Sequence, residues 1–232
     1  MCFSAEADLA AGMVVGAVAV DALRHVKERR QLAIASLPGL FALHQLTEAF
    51  VWWGLGGEVP WPMGRVAVFL YLIVALGVLP VLVPLAVLAI EPSPRRRALL
   101  SKLGACGVAV ATLYLAAMAL EPVVAKIEGN HVAYYVEVVR PQLVATVYVL
   151  AGCGALLVSS HRAIVAFGLA NAGAVAVLLW IQANALTSLW CLWAAIASVA
   201  VAAHLRRSHR SPSTDPTLRP ERRLRVGLPR FG

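Results

Sequence analysis

The sequence places an imidazole, an amide and a carboxyl group in the middle of a long apolar segment, residues 32–55. These groups belong to His44, Gln45 and Glu48. If the segment is a helix, the i, i+4 spacing puts His44 and Glu48 on one face, with Gln45 beside it. Ionisable groups at membrane depth are costly and therefore indicate function. The three could bind a metal ion, relay a proton or hold a polar headgroup. A purely structural hydrogen-bonded pair remains the alternative.

Other polar side chains are expected near the same end of this segment. We predict one ligand-binding pocket, lined by His44, Gln45, Glu48, Glu121, Gln182 and Cys191. A second hypothesis is a metal site made of Cys2, His44 and Glu48. If Met1 is removed, the amine and thiol of Cys2 lie on adjacent atoms and could chelate an ion or act as a nucleophile. The cysteine and histidine spacings match no recognised zinc pattern.

The elements that must position these groups are transmembrane helices. The chain has 232 residues, of which 60% are hydrophobic and 14% charged, whereas soluble domains are roughly 45–50% apolar and about 25% charged. Crossing the hydrocarbon core takes about 20 apolar residues in a helix. We predict an all-α, polytopic bundle of about seven spans. The spans are residues 5–23, 32–55, 66–90, 99–120, 143–159, 164–182 and 189–205. The fifth and sixth are joined only by Ser160-His161-Arg162, as a tight hairpin or as one long element.

Basic residues give this bundle an orientation. They concentrate in alternate connections, near Arg24, Arg96 and Arg162, and are sparse in the others. Because cytoplasmic connections carry the excess of Lys and Arg, we predict an N-terminus outside, a C-terminus in the cytoplasm and a location in the inner (plasma) membrane. Residues 1–207 would form the bundle. Residues 208–232 would form a disordered basic tail that attracts anionic lipids of the inner leaflet. The same bias explains the net charge of +8, so no nucleic-acid binding is expected.

Three features of the chain resemble a known group of proteins. They are the opening Met1-Cys2-Phe3-Ser4, the Glu48 followed by Trp52, and the Trp190-Cys191 pair of the final span. Together they resemble an uncharacterised bacterial membrane-protein family whose members begin Met-Cys-Phe-Ser. The resemblance covers residues 1–204. It implies a multi-span bundle and carries no known activity.

Better-known families of seven-span proteins are tested by their chemistry. Retinal is not expected, because the last predicted span has no lysine for a Schiff base. A catalytic zinc held by histidines is not expected either, since only His44 and His131 could meet on the outer side.

The leading hypothesis is a non-enzymatic protein that binds or passes a small polar molecule or ion. The alternatives are a membrane enzyme for a lipid or small substrate, using Glu48 with Cys2 or a metal, and an accessory or sensory subunit.

Overall fold

The computed structural model describes residues 4–129, 131–181 and 198–199, and these are mostly helical. A 3-10 turn, Arg29–Gln31, precedes the second helix. The helices are α1 (Ala5–Arg24), α2 (Leu32–Gly56), α3 (Trp61–Leu72), α4 (Leu79–Ile90), α5 (Pro94–Leu120), α6 (Pro141–Val158) and α7 (Arg162–Ile181). Residues Ile73–Val78 form a π-helical segment that joins α3 to α4 without a break.

Helices occupy the first six of the predicted stretches. Among the described residues, three helical segments are long and apolar enough to cross a membrane: Trp61–Ile90, Pro94–Leu120 and Pro141–Val158. One helix ends at Val158 and the next begins at Arg162, so the fifth and sixth stretches are separate helices joined by a tight turn. The seventh stretch, residues 189–205, lies outside the described residues except for 198 and 199.

The expectation of an all-α protein is incomplete, because the connection between α5 and α6 contains a β-hairpin. Strands β1 (Val124–Glu128) and β2 (His131–Tyr135) pair antiparallel, with Glu128 opposite His131 next to the turn. Gly129 supplies the left-handed conformation (φ 61°) that a tight turn requires. Val132 is fully buried and packs with Val51 and Met118. The hairpin is therefore part of the core rather than a solvated loop.

The helical segment formed by α3 and α4 is continuous, and the other consecutive helices pack against their neighbours in opposite directions, so the connections gather at two ends. The hairpin end holds the connection at residues 57–60 and the β-hairpin. The basic end holds the connections at residues 25–31, 91–93 and 159–161.

Each end has its own apolar core. The core of the hairpin end contains Val51, Ala67, Val68, Tyr71, Leu72, Met118 and Val132. The core of the basic end contains Ile34, Leu37, Ala86, Val87, Leu100, Ala155, Leu156 and Ile164. Thus α3 packs into the core of the hairpin end, and α4 packs into the core of the basic end.

The π-helical segment between α3 and α4 has an identifiable cause. In a π-helix each N–H bonds the carbonyl five residues back, as the N–H of Leu79 does to Val74. The next residue is Pro80, which has no N–H, so the carbonyl of Ala75 lacks its helical donor. The hydroxyl of Tyr148, on α6, donates to this carbonyl at 2.8 Å. A side chain from another helix thus replaces the missing backbone bond.

Removing the Tyr148 hydroxyl should therefore destabilise the bundle. Tyr148→Phe leaves the Ala75 carbonyl without a donor, and we expect a loss of about 1–2 kcal/mol in the free energy of unfolding. Thermal unfolding of the purified protein measures the loss. The matched control is Tyr114→Phe on α5, which removes the same hydroxyl group from a partly exposed tyrosine. Equal stability of both variants would contradict the role given to Tyr148.

At the basic end, the side chain of Glu91 joins two connections. It is 2% exposed. One carboxylate oxygen accepts the N–H of Ser93 at 3.1 Å and also the hydroxyl of Ser160. The other oxygen accepts the N–H of Ser160 at 2.7 Å. In the same place Arg96 donates to the carbonyl of Ser159 at 2.6 Å. The α4–α5 connection is therefore fastened to the α6–α7 connection.

These hydrogen bonds decide the protonation of Glu91. Burial by itself would raise the pKa of this carboxyl, but the donors from Ser160 and Ser93 and the charge of Arg96 together hold the pKa below its ordinary value of 4.5. Because the pKa is lower in the folded state, the ionised carboxylate stabilises the fold. This contribution is complete above the ordinary value and disappears as the pH falls through the folded-state pKa.

Glu91→Gln should therefore weaken the protein most at neutral pH. The neutral amide turns an N–H group toward backbone donors, and we expect a loss of about 2 kcal/mol. The measurement is thermal unfolding of both proteins from about pH 7 to about pH 3, and the difference should shrink toward the acid end of the range. A difference that stays constant with pH would show that the carboxylate charge does not contribute.

Candidate functional site

The polar group on α2 lies inside the protein. His44, Gln45 and Glu48 are 3%, 1% and 0% exposed. The helix is thus turned so that the face carrying these residues packs against its neighbours, whereas the adjacent residue Leu43 is 56% exposed. The i, i+4 spacing that predicted a shared face for His44 and Glu48 agrees with this burial.

A second buried carboxyl group, Asp8 on α1, lies at the same depth. Asp8 is 0% exposed. The register between α1 and α2 follows from Gly12, where an added Cβ would lie 2.7 Å from Leu46 Cδ2 and 3.3 Å from the carbonyl oxygen of Ala42. One turn back along α1 from Gly12 reaches Asp8, and the matching turn along antiparallel α2 reaches residues 46–50. Asp8 therefore lies level with Glu48. Asp8 was not among the site residues predicted from the sequence.

A column of three stacked rings connects the polar group to the β-hairpin. The rings of His44 and Tyr71 are 3.9 Å apart between centroids and nearly parallel, at 17°. The rings of Tyr71 and Tyr134 are 4.6 Å apart, at 12°. This aromatic column runs from α2 through α3 to β2. The position of the hairpin is therefore linked, through the ring of Tyr71, to the imidazole of His44.

Two buried nitrogen atoms on α2 have no hydrogen-bond partner among the residues described. They are Nδ1 of His44 and Nε1 of Trp52. His44, Glu48 and Trp52 follow one another at four-residue intervals and so share one helix face. A buried polar atom left unsatisfied costs about 1–3 kcal/mol. A small ligand that offered partners to these atoms would recover that cost. We call Asp8, His44, Gln45, Glu48 and Trp52 the polar layer.

The remaining predicted site residues do not join the polar layer in the described part of the chain. Glu121 is exposed and follows the last residue of α5. Gln182, Cys191 and Cys2 lie outside the described residues, so the metal site with Cys2, and the enzyme hypothesis that depends on it, stay predictions. Within residues 4–129, 131–181 and 198–199, no group of three or more His, Cys, Asp or Glu side chains could hold a metal ion.

The described part of the chain defines a mostly helical protein, with three helical segments of membrane-crossing length in that part and a layer of buried polar side chains. The chain belongs to a family of unknown function, DUF6629, whose model matches residues 1–216. The match extends past residue 204, where the resemblance noted in the sequence ends. No curated protein matches the chain, and no solved structure does. The family defines the group to which the protein belongs, but it supplies no activity.

The aromatic column can be tested by separating the ring of Tyr134 from its hydroxyl. Both Tyr134→Phe and Tyr134→Leu remove the hydroxyl, but only the second removes the ring. We expect the Leu variant to be less stable than the Phe variant by about 1 kcal/mol, from the lost stacking. Thermal unfolding of the two variants gives this difference.

The neighbouring residue supplies the control for this comparison. Tyr135 is 46% exposed on the same strand. Tyr135→Leu and Tyr135→Phe should therefore differ much less from each other. If the two pairs of variants show equal differences, the column does not fasten the hairpin.

Proposed function

We propose that this chain is an integral membrane protein with about seven spans. Three helical segments of sufficient length and apolar composition support the proposal. Large apolar side chains in the middle of several helices are also turned outward. Leu43, Leu113 and Leu150 are 56%, 52% and 56% exposed. Such apolar exposure around a bundle suits contact with lipid tails and would be costly in water.

The proposed orientation places the basic end in the cytoplasm and the hairpin end outside. The described connections and helix ends of the basic end carry Arg24, Lys27, Arg29, Arg30, Arg95, Arg96, Arg97, Lys102 and Arg162. Those of the hairpin end carry Arg65, Lys126 and Arg140. Positive charge on one side of the bundle is the usual mark of the cytoplasmic face. This orientation gives an outer N-terminus and an inner (plasma) membrane location.

Within this framework we infer that the polar layer binds or passes a small polar molecule or an ion. The observation that carries the proposal is the complete burial of two carboxyl groups, Asp8 and Glu48, at one depth beside His44. Carboxyl, amide and imidazole groups buried among apolar helices are typical of ion and proton pathways. Carboxylates favour a cation, and a proton is the first candidate, because no three of the described His, Cys, Asp or Glu side chains form a metal site.

The layer also lies toward the hairpin end. Residues 44–52 belong to the second half of α2, and Asp8 belongs to the beginning of α1. In the proposed orientation a ligand therefore enters from outside. The β-hairpin contacts the layer through Tyr134 and Tyr71, so it lies near the route that such a ligand would follow.

Glu48→Gln is the decisive variant, because it removes the charge and keeps the shape. We expect it to fold but to lose stabilisation by the cation that binds. The purified full-length protein would be titrated with sodium, potassium, magnesium and zinc chloride and with acid, and its unfolding temperature followed. A cation at a hundred times its dissociation constant stabilises the wild type by about 2.7 kcal/mol. Glu58→Gln, an exposed carboxyl at the hairpin end, should keep the response.

Two results would contradict the proposed function. If Glu48→Gln fails to assemble while Glu58→Gln assembles normally, the polar layer is a structural hydrogen-bonded group. If both variants respond to every cation as the wild type does, Glu48 is not part of a cation site. Asp8→Asn, measured in the same way, distinguishes a site with two carboxyl groups from a site with one.

A further inference from the structure

We propose that the basic end holds a binding site for the phosphate of an anionic phospholipid, an inference that rests on the membrane placement proposed above. The site is a cavity of about 610 Å³ between the C-terminal end of α4 and the 3-10 turn that precedes α2. The cavity is lined by Arg30, Leu85, Leu88, Ala89, Glu91, Pro92 and Arg97. It is separate from the polar layer, which lies toward the opposite end of the bundle.

The charged and apolar residues of the cavity wall are arranged in the same order as the headgroup and the acyl chain of a phospholipid. Arg30 and Arg97 supply two guanidinium groups at the level of the connections. Leu85, Leu88 and Ala89 continue along α4 from that level toward the middle of the bundle. A headgroup phosphate between the two arginines would therefore direct its acyl chain along an apolar helix face. Guanidinium groups bind phosphate oxygens with paired, charge-assisted hydrogen bonds.

The guanidinium group of Arg97 is already held in position. Its Nη1 atom donates to the carbonyl of Leu88 at 2.9 Å and to that of Glu91 at 3.3 Å. The other N–H groups of Arg97 have no hydrogen-bond partner in the described part of the chain, and neither does the side chain of Arg30. A donor fixed before the ligand arrives loses little conformational entropy on binding.

The carboxylate in the lining does not compete for these donors. Both oxygens of Glu91 accept hydrogen bonds from Ser93 and Ser160, and Arg97 bonds the backbone carbonyl of Glu91 rather than its carboxylate. The lining therefore contains two cations and one anion, and the anion already accepts three hydrogen bonds within the protein. The remaining positive charge complements a phosphodiester.

Charge complementarity selects the kind of lipid. A phosphatidylglycerol headgroup carries a net negative charge, whereas phosphatidylcholine carries an ammonium group that Arg30 and Arg97 would repel. The cytoplasmic leaflet is the anionic one, and the basic end faces it in the proposed orientation. A volume of about 610 Å³ lies within the usual range of small-molecule sites, about 300–1,000 Å³.

Native mass spectrometry of the detergent-purified, full-length protein tests the site. The protein would be titrated with phosphatidylglycerol, with phosphatidylcholine and with inorganic phosphate. We expect phosphatidylglycerol to bind about tenfold more tightly than phosphatidylcholine. Arg30→Gln should weaken phosphatidylglycerol binding by about tenfold, and Arg30→Lys should restore part of the affinity. The matched control is Arg29→Gln, which removes the same charge from the same turn but lies outside the lining.

Three outcomes would overturn the site. Equal weakening by Arg29→Gln and Arg30→Gln would show diffuse attraction to a basic surface. Equal binding of the two lipids would remove the selectivity for anionic headgroups. Displacement of phosphatidylglycerol by inorganic phosphate at a similar concentration would show an anion site without lipid specificity.

A separate measurement distinguishes failure of the site from failure of the membrane placement. Alkaline carbonate extraction of cell membranes releases peripheral proteins and leaves integral ones behind. Retention in the membrane together with equal binding of the two lipids overturns the lipid site and leaves the membrane placement standing. Release by carbonate overturns the membrane placement and, with it, the lipid site.

Discussion

A polar group between apolar helices must find its partner inside the protein, because its surroundings offer none. Much of this structure follows from that constraint. The carbonyl of Ala75, which lost its donor to Pro80, is bonded by Tyr148 from another helix. The carboxylate of Glu91 collects donors from two connections and so fastens the basic end. The nitrogen atoms of His44 and Trp52 lack a partner in the described part of the chain, and the ligand proposed above would supply one.

The helices could be predicted from the sequence, and the reasons are physical. Runs of about 20 apolar residues separated by charged clusters leave few alternatives, and helices occupy the first six of the predicted stretches. The sequence signal for the β-hairpin is weaker than the signal for the helices. Val124, Ile127, Val132 and Tyr134 are residues that favour strands, and they flank a glycine turn, but the segment is short and lies between helices. The π-helical segment could not be predicted, since Pro80 indicates a bend but does not reveal that Tyr148 stands within reach.

The candidate site, too, could be predicted from the sequence only in part. Burial of His44, Gln45 and Glu48 followed from their spacing in an apolar helix. Asp8 carries the same signal, a carboxyl group within an apolar run, and the same rule would have found it. The aromatic column had no such signal, because a tyrosine in a helix and another in a connection are common. Their stacking depends on how α2, α3 and β2 pack, which only the folded structure shows.

The π-helical segment has a consequence for insertions and deletions in this chain. It separates a helix that packs into the core of the hairpin end from one that packs into the core of the basic end. A π-helical turn already holds one residue more than an α-helical turn, so inserting a further residue between Ile73 and Val78 would turn every side chain of α4 by about 100° relative to α3. An insertion in an exposed connection lengthens a loop, whereas one here would rotate outward-facing side chains of α4 toward the core. The length of this segment is therefore as strongly constrained as any side chain in the two cores.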